Sequence, residues 1–403
     1  MGKPAERRGA ITGAVMLLAL AIAPGARAQA MSAEAALARL FEAPRIEESW
    51  FAPSFLAAVP AGQVASIVEG LARDHGRLRG ITGTGDRLSV ELERAEVPTR
   101  ITLDGEGRIT GLLFEPHIAT AGDLAAHVAA IAALPGETSV LVASAGETRA
   151  AHRPEAAMAV GSAAKLAILK AVADAVDGRQ LAWDRVVTLD PAWRSLPTGI
   201  LQDWPAGTPV TVATLANLAI SRSDNTAADA LLHLAGREAV EAVSPRNAPF
   251  LTTREFFVLK ARANADLRRT WSAGDGAARR ALLEPLSHRP APRPGDLEAA
   301  PTLEVEWHLS AAEICRLLDD TADLPAFRIN PGVADREAWA SVAYKGGSEA
   351  GVLNLSTRLV GADGRAHCVV ATWNDGATMD HEHMMAPYRA ILRSLRISGA
   401  APP

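Results

Sequence analysis

Val160-Gly161-Ser162-Ala163-Ala164-Lys165 opens an apolar run from Leu166 to Val176. Leu166, Leu169, Val172, Ala173 and Val176 recur at helical spacing, and Gly178 stands just past the end, where a helix favours glycine. The spacing predicts a buried helix with Ser162 in its first turn and Lys165 one turn on. Residues three apart share a helix face, so the Lys165 amine can approach the Ser162 hydroxyl. A serine hydroxyl alone is a weak nucleophile. A lysine in apolar surroundings loses part of its preference for the charged form and can act as the base. N–H groups at a helix start favour negative charge developing nearby. Ser-x-x-Lys by itself is common, so its meaning depends on the rest of the chain.

The chain has 403 residues, which suits two or three domains. It is 48% hydrophobic and 22% charged, as soluble globular proteins are. A formal charge of −5 without a basic stripe argues against nucleic acid as a partner. The ten histidines are scattered, and His381-Glu382-His383 lacks the helical two-histidine spacing, so neither a metal nor any other cofactor is expected. Lys3, Arg7 and Arg8, then an apolar run from Ala10 to Ala23, then Ala26-Arg27-Ala28, read as a signal peptide over residues 1–28, cleaved after Ala28. The apolar run is short for a membrane span, and no cysteine near the cut offers a lipid attachment point. The expected location is periplasmic or secreted, with no stable membrane anchor. Cys315, in a helical pattern, and Cys368, in a strand pattern, are either a disulfide or two buried thiols.

Residues 31–117 read as a separate small α+β unit. Ala35 to Phe41 and Gln63 to Ala72 have helical periodicity; 88–93, 99–103 and 108–114 alternate as strands, with Gly105 to Gly107 as a hairpin turn. No nucleophile, base or metal cluster stands out there, which suggests a packing or substrate-shaping module. Further on, helices are expected at Leu124 to Leu134, Val212 to Ile220 (capped by Thr211), Ala227 to Leu234, Thr253 to Ala265, Ala311 to Leu318 and Pro387 to Ser394. Strands are expected at Glu137 to Ala145, Ala157 to Val160, Val352 to Val360 and Ala366 to Trp373, with Gly361 to Gly364 turning between the last two. Residues 240–302 read as otherwise irregular.

Three marks follow in order: Ser162-x-x-Lys165, Ser223-Asp224-Asn225 and Lys345-Gly346-Gly347, the first two serines 61 residues apart. Such a set, with Lys-Thr-Gly as the third mark, belongs to class A β-lactamases and penicillin-binding proteins. The chain from Thr138 to Ser394 resembles that superfamily in motif order, approximate spacing and element order. With residues 31–117 in front, the whole is similar to the two-domain serine hydrolases of clavulanate biosynthesis. The resemblance implies an α/β (α+β) architecture. A small N-terminal α+β domain of cystatin or isomerase type would precede a β-lactamase/transpeptidase-like domain over 119–398. That second domain would hold an antiparallel five-stranded sheet flanked by helices, plus an all-α subdomain.

The resemblance also implies roles. Ser162 would attack a carbonyl and become acylated, with Lys165 taking its proton. Ser223 would relay a proton to the leaving group, and Lys345 would supply positive potential and hold Ser223. Asn225, Gly346, Gly347 and Ser348 would bind substrate, the N–H groups of Ser162 and Ser348 forming the oxyanion hole. The implied activity is β-lactamase-like hydrolysis of a small-molecule β-lactam amide or related ester, as in antibiotic breakdown or response. The alternatives are a penicillin- or cell-wall-binding protein with weak turnover, and a D,D-peptidase.

Two departures matter. Family members usually carry threonine or serine where Gly346 stands, and that hydroxyl helps bind the β-lactam carboxylate; here Ser348 is the nearby hydroxyl. The Glu-x-x-Leu-Asn pattern that carries the deacylating glutamate is missing. Glu255, 32 residues after Ser223, lies in roughly the right region, but its surroundings read as a helix and Glu255 as a residue of that helix's surface. No carboxylate between Ala235 and Ala300 is therefore expected within reach of Ser162.

Overall fold

The computed structural model describes residues 31–119 and 122–398. The expected signal peptide, residues 1–28, lies outside them. Ser32 caps helix α1 (Ala33–Glu42) by accepting a hydrogen bond from the Ala35 N–H at 3.1 Å. Helices α2 (Pro53–Leu56) and α3 (Ala61–His75) follow. Then come strands β1 (Leu78–Thr84), β2 (Arg87–Leu92), β3 (Ala95–Leu103), β4 (Ile109–Phe114) and β5 (Ile118–Ala119). The first four form an antiparallel sheet in chain order, and β5 pairs with the start of β3. Every second residue of β3 from Ala95 to Ile101 is buried. Leu37, Leu40, Val64 and Val68 close over that face and build the core of this part with Val90, Val97 and Ile109. Strand β1 is absent from the sequence expectation because its two glycines and mostly exposed side chains leave no alternation to read.

A second sheet organises the rest. After α4 (Leu124–Ala132), β6 (Glu137–Ser144) and β7 (Glu147–His152) form a hairpin, and β8 (Met158–Ala159) leads to the Ser162 turn. Next come α5 (Lys165–Asp177), β9 (Val186–Thr188), β10 (Pro209–Thr211), α6 (Val212–Ser221), α7 (Asn225–Ala235), α8 (Arg237–Val243), α9 (Thr253–Lys260), α10 (Ala265–Ala273) and α11 (Gly276–Ser287). The chain then returns through β11 (His308–Leu309), α12 (Ala311–Thr321), β12 (Ser341–Tyr344), β13 (Gly347–Glu349), β14 (Val352–Val360), β15 (Ala366–Asn374) and α13 (Glu382–Ser398). The sheet order is β12-β14-β15-β6-β7, and β13 continues the line of β12 along β14. It is therefore five positions wide, as expected, with its edge strand interrupted at Lys345-Gly346.

Helices cover both faces of this sheet, and the strands sort their residues accordingly. Leu141, Cys368 and Val370 face α5 and α12. Their neighbours Val140, Val142, Val369 and Ala371 face the other way, where Met384, Tyr388, Ile391 and Leu395 of α13 pack with Val128 and Ile131 of α4. Cys315 of α12 and Cys368 of β15 form a disulfide that fastens one helix layer to the sheet. Of the two readings left open by the sequence, the disulfide is thus the one found.

Helices α5 to α11 form the all-α part, and several boundaries correct the sequence reading. Residues 240–302 hold more helix than expected. The single helix expected from Thr253 to Ala265 is α9, an extended break at Ala261, a short 3-10 turn at Arg262–Asn264, and α10. Asn264 ends α9 by donating to the Val258 carbonyl at 2.8 Å. Helix α13 starts five residues before Pro387, because Met384 already continues its buried stripe. Among the described residues, no helix is long and apolar enough to cross a membrane.

Candidate active site

Ser162 sits in a 3-10 turn, Gly161–Ala164, that feeds directly into α5. Gly161 takes φ +51°, a left-handed conformation that glycine adopts without strain. Ser162 is half-buried, whereas Lys165 is only 3% exposed. The Lys165 Nζ lies 2.8 Å from Ser162 Oγ, 2.6 Å from Asn225 Oδ1, 2.9 Å from the Ser223 carbonyl and 3.2 Å from Ser223 Oγ. Burial lowers the Lys165 pKa to about 8, against the opposing pull of Asp229, Asp224 and Glu349. The amine therefore spends an appreciable fraction of its time neutral near neutral pH. In that state its nitrogen carries a lone pair that can accept a proton.

The Ser223-Asp224-Asn225 turn joins α6 to α7 and divides its work by residue. Ser223 has φ +56°, a conformation that costs a non-glycine residue about 1–2 kcal/mol. Thr198 Oγ1 and Lys165 Nζ hold its carbonyl at 2.7 and 2.9 Å. Asp224 is fully buried and structural. It caps α7 through the Ala227 N–H and accepts from the Ile200 and Leu201 N–H groups, at 2.9, 2.7 and 3.0 Å. Asn225 spends its Oδ1 on Lys165 and donates from Nδ2 to the Leu196 carbonyl at 2.8 Å.

The interrupted edge strand brings the third mark across. Lys345 is 2% exposed, and its Nζ donates to Ser223 Oγ at 3.1 Å and to the Gly346 carbonyl. Burial, and next to it the charge of Lys165, depress the Lys345 pKa well below the usual range. Gly347 explains how close the strand comes to Ser162. A Cβ on it would stand 2.0 Å from the Val160 carbonyl oxygen and 2.7 Å from the Ser162 nitrogen. A Cβ on Gly161 would in turn stand 3.4 Å from the Ser348 nitrogen. The backbone amides of Ser162 and Ser348 thus flank the contact between these two glycines, and Ser348 is exposed to the cleft.

The four residues expected to act together, Ser162, Lys165, Ser223 and Lys345, therefore meet in one hydrogen-bonded chain at the edge of a cleft of about 300 Å³. Asn225, Gly346, Gly347 and Ser348 line the same cleft.

Helix α9 forms part of the cleft wall through Thr253, Phe256 and Phe257, with Trp307 stacked on Phe256 at 4.4 Å between ring centroids. Its N-terminus is gripped by Asp229, whose carboxylate accepts from the Thr253 and Arg254 N–H groups at 2.6 and 2.9 Å. Burial raises the Asp229 pKa to about 7, against those two hydrogen bonds. Glu255 is on a helix, as expected, but not on its surface: it is 6% exposed. It completes a capping box with Thr252 and pairs with Arg237 at 2.9 and 3.0 Å, so both oxygens are engaged away from Ser162. Among the described residues, Lys165 is the hydrogen-bond partner of Ser162 Oγ and no carboxylate is.

Three features of the site were not read from the sequence. Asp229 follows the Ser223 motif by six residues, inside an apolar helix where an aspartate is out of place. Lys260 and Glu306 form a buried ion pair, with Glu349 of the cleft wall 3.5 Å from Lys260, assembled from distant parts of the chain. Tyr344, which lines the cleft, directly precedes Lys345 and is one of only two tyrosines in the chain.

The model of the Beta-lactamase enzyme family matches residues 123–278. That stretch holds Ser162, Lys165, Ser223 and Asn225, and ends before Lys345. No curated protein matches the chain. Among solved structures, the chain is similar to a β-lactamase from Sphaerobacter thermophilus DSM 20745, with 22% identity over 70% of this chain and 98% of that one, TM-score 0.45. It is also similar to a β-lactamase from Desulfarculus baarsii DSM 2075, with 23% identity over 70% of this chain and 100% of that one, TM-score 0.47. A third is a structure of PBP-A, with 15% identity over 68% and 94% of the two chains, TM-score 0.43. Over residues 123–278, which include Ser162 and Lys165, the chain is thus similar to the Beta-lactamase enzyme family.

Proposed function

We propose that this protein is an exported serine hydrolase that works through an acyl-enzyme on Ser162, with a β-lactam amide or a related small amide or ester as substrate. One observation carries the reading: a buried Lys165 amine 2.8 Å from Ser162 Oγ and 3.2 Å from Ser223 Oγ, with Lys345 closing the chain at 3.1 Å. Neutral Lys165 takes the Ser162 proton as Oγ attacks the carbonyl carbon. The oxyanion forms between the Ser162 and Ser348 amides. The Ser223 hydroxyl passes a proton to the leaving nitrogen or oxygen and regains one from Lys165, which returns the base to neutral. Export is supported by the leader pattern of residues 1–28 and by the Cys315–Cys368 disulfide, which an oxidising compartment sustains. The 31–117 unit is assigned a packing or substrate-shaping role.

The second step needs a base for water. Glu255 is committed to Arg237 and to its own helix cap, which favours slow release of the acyl group. This observation supports the second reading, a penicillin-recognising protein of weak turnover. The test is intact-mass spectrometry after incubation with a penicillin and with an activated acyl ester. A stoichiometric adduct on Ser162 that persists for minutes or longer is expected. No adduct with any acyl donor would refute the hydrolase reading, and release within seconds would restore a rapid β-lactamase. A D-Ala-D-Ala peptide assay decides whether the same site is a D,D-peptidase.

A further inference from the structure

Lys260 ends α9 and is 4% exposed, yet it reaches two other segments of the chain. Its Nζ donates to Glu306, whose side chain is fully buried, and lies 3.5 Å from Glu349 Oε2 on β13. It also stands 4.3 Å from the centroid of the Phe256 ring, which stacks on Trp307. These contacts close into a circuit. Glu306 precedes Trp307, whose carbonyl accepts from the Val160 N–H at 3.0 Å. The Val160 carbonyl abuts Gly347, where a Cβ would stand 2.0 Å from its oxygen. Glu349 comes two residues after Gly347, on the same side of the extended strand, and returns to Lys260. Ser162 follows Val160 by two residues, and Ser348 lies between Gly347 and Glu349. Both amides therefore belong to segments that the circuit joins.

The link is a poor source of stability. One ammonium faces two carboxylates, and burial raises the Glu306 pKa to about 7 against the charge and hydrogen bond of Lys260. Glu306 Oε2 has no hydrogen-bond partner among the described residues. A buried ion pair with an unmet oxygen recovers little of its desolvation cost, and apolar side chains of similar volume often do as well or better. What the charges add is direction. An ammonium with three donors fixes where two carboxylates stand, which a contact between methyl groups does not. Lys260 and Glu306 stand behind the cleft wall and not in its lining, so they act through the segments they hold.

We propose that Lys260 is a positioning residue that, through Glu349 and Glu306, fixes β13 against the Ser162 turn. It thereby keeps the Ser348 and Ser162 amides at the separation that a forming oxyanion needs. This rests on the acyl-enzyme reading and adds the part that holds its two donors together.

Saturation kinetics of Ser162 acylation, with benzylpenicillin and with p-nitrophenyl acetate, separate the acylation rate constant from the dissociation constant. Glu349→Ala severs the arm to β13 and leaves the buried pair intact. Lys260→Met with Glu306→Gln removes one charge of each sign from the interior. Each change is expected to lower the rate constant about 10- to 100-fold, as a misplacement of about 1 Å does, and to leave the dissociation constant within about twofold. Combining them should add nothing, because both cut the same circuit. Rates are taken per folded molecule, with the folded fraction read from denaturant unfolding. If the paired variant does not fold, Glu349→Ala alone decides. A lysine that merely supports the fold would lower stability and leave the rate constant unchanged, which overturns the proposal. Additive losses, or a loss confined to the dissociation constant, also overturn it. Each of these results leaves wild-type acylation, and so the hydrolase reading, in place. Absence of any wild-type adduct refutes the hydrolase reading and this proposal together.

Discussion

Arg237 holds Glu255 in a two-pronged grip, Nη1 and Nη2 reaching its carboxylate oxygens at 3.0 and 2.9 Å, and the Thr252 N–H occupies one of the same oxygens at 2.8 Å. The only glutamate at the spacing of a deacylating base is therefore a structural one. Glu255→Gln should cost about 3 kcal/mol of stability, because it leaves the Arg237 charge without its partner in a site where neither side chain is more than 17% exposed. The lifetime of the acyl-enzyme should not change. Denaturant unfolding and adduct decay measured on the same variant check this; a trapped adduct would make Glu255 the base after all.

Lys165 should be indispensable for the first step. Lys165→Ala is expected to slow acylation by about 10²–10⁴-fold, the usual worth of a general base, while circular dichroism shows the fold intact. Acylation at the wild-type rate would place the base elsewhere.

The same lysine sets a pH profile. With its pKa lowered to about 8, the neutral form grows as pH rises toward that value. Acylation should climb about tenfold per pH unit well below 8 and level off above it. Pre-steady-state acylation between pH 5 and 9.5 is the measurement, and a profile that falls across this range would contradict a neutral-lysine base.

Gly347→Ala places a methyl 2.0 Å from the Val160 carbonyl oxygen, so β13 must retreat from the Ser162 turn. The retreat should pull the Ser348 amide out of line and cost about 10²-fold in acylation. Stability should fall by about 1–3 kcal/mol, as for other overpacked sites. Wild-type acylation in this variant would mean the two amides do not act together.

The Cys315–Cys368 bond closes a sequence separation of 53 residues. Replacing both cysteines by alanine should cost about 2–4 kcal/mol, mostly by freeing the unfolded chain. Denaturant unfolding with and without reductant measures it, and reductant should have no effect on the double variant.

Much of this site was legible because its elements obey a single period. The Ser162 helix reads from Leu166 to Val176 because one face is apolar at every turn. Strand β14 was expected at its observed bounds because both sides of the sheet are covered and its apolar run ends at a glycine turn. Among the strands that escaped notice, β1 and β7 lie at sheet edges where exposed positions carry polar side chains or glycine. Helices α10 and α11 escaped for a related reason: each fully buries only one side chain, Trp271 or Leu286, and Leu267, Leu282 and Leu283 are only partly covered. The burial of Glu255 depends on Arg237, 18 residues earlier and on another helix, a pairing that no local pattern carries.

The order of the strands has a bearing on time. The first sheet pairs only strands within residues 78–119, so it can assemble while most of the chain is still unmade. The second cannot: its central ladder joins β6 to β15, and the hydrogen bond between Ser144 and His367 spans 223 residues. Ser162 and Lys165 are synthesised long before the strand that carries Lys345, and they wait beside an open half-sheet with apolar residues such as Val140 and Val142 uncovered. A chain halted short of β15 would hold Ser162 and Lys165 but no finished cleft. The cleft is thus complete only when nearly the last element has been delivered.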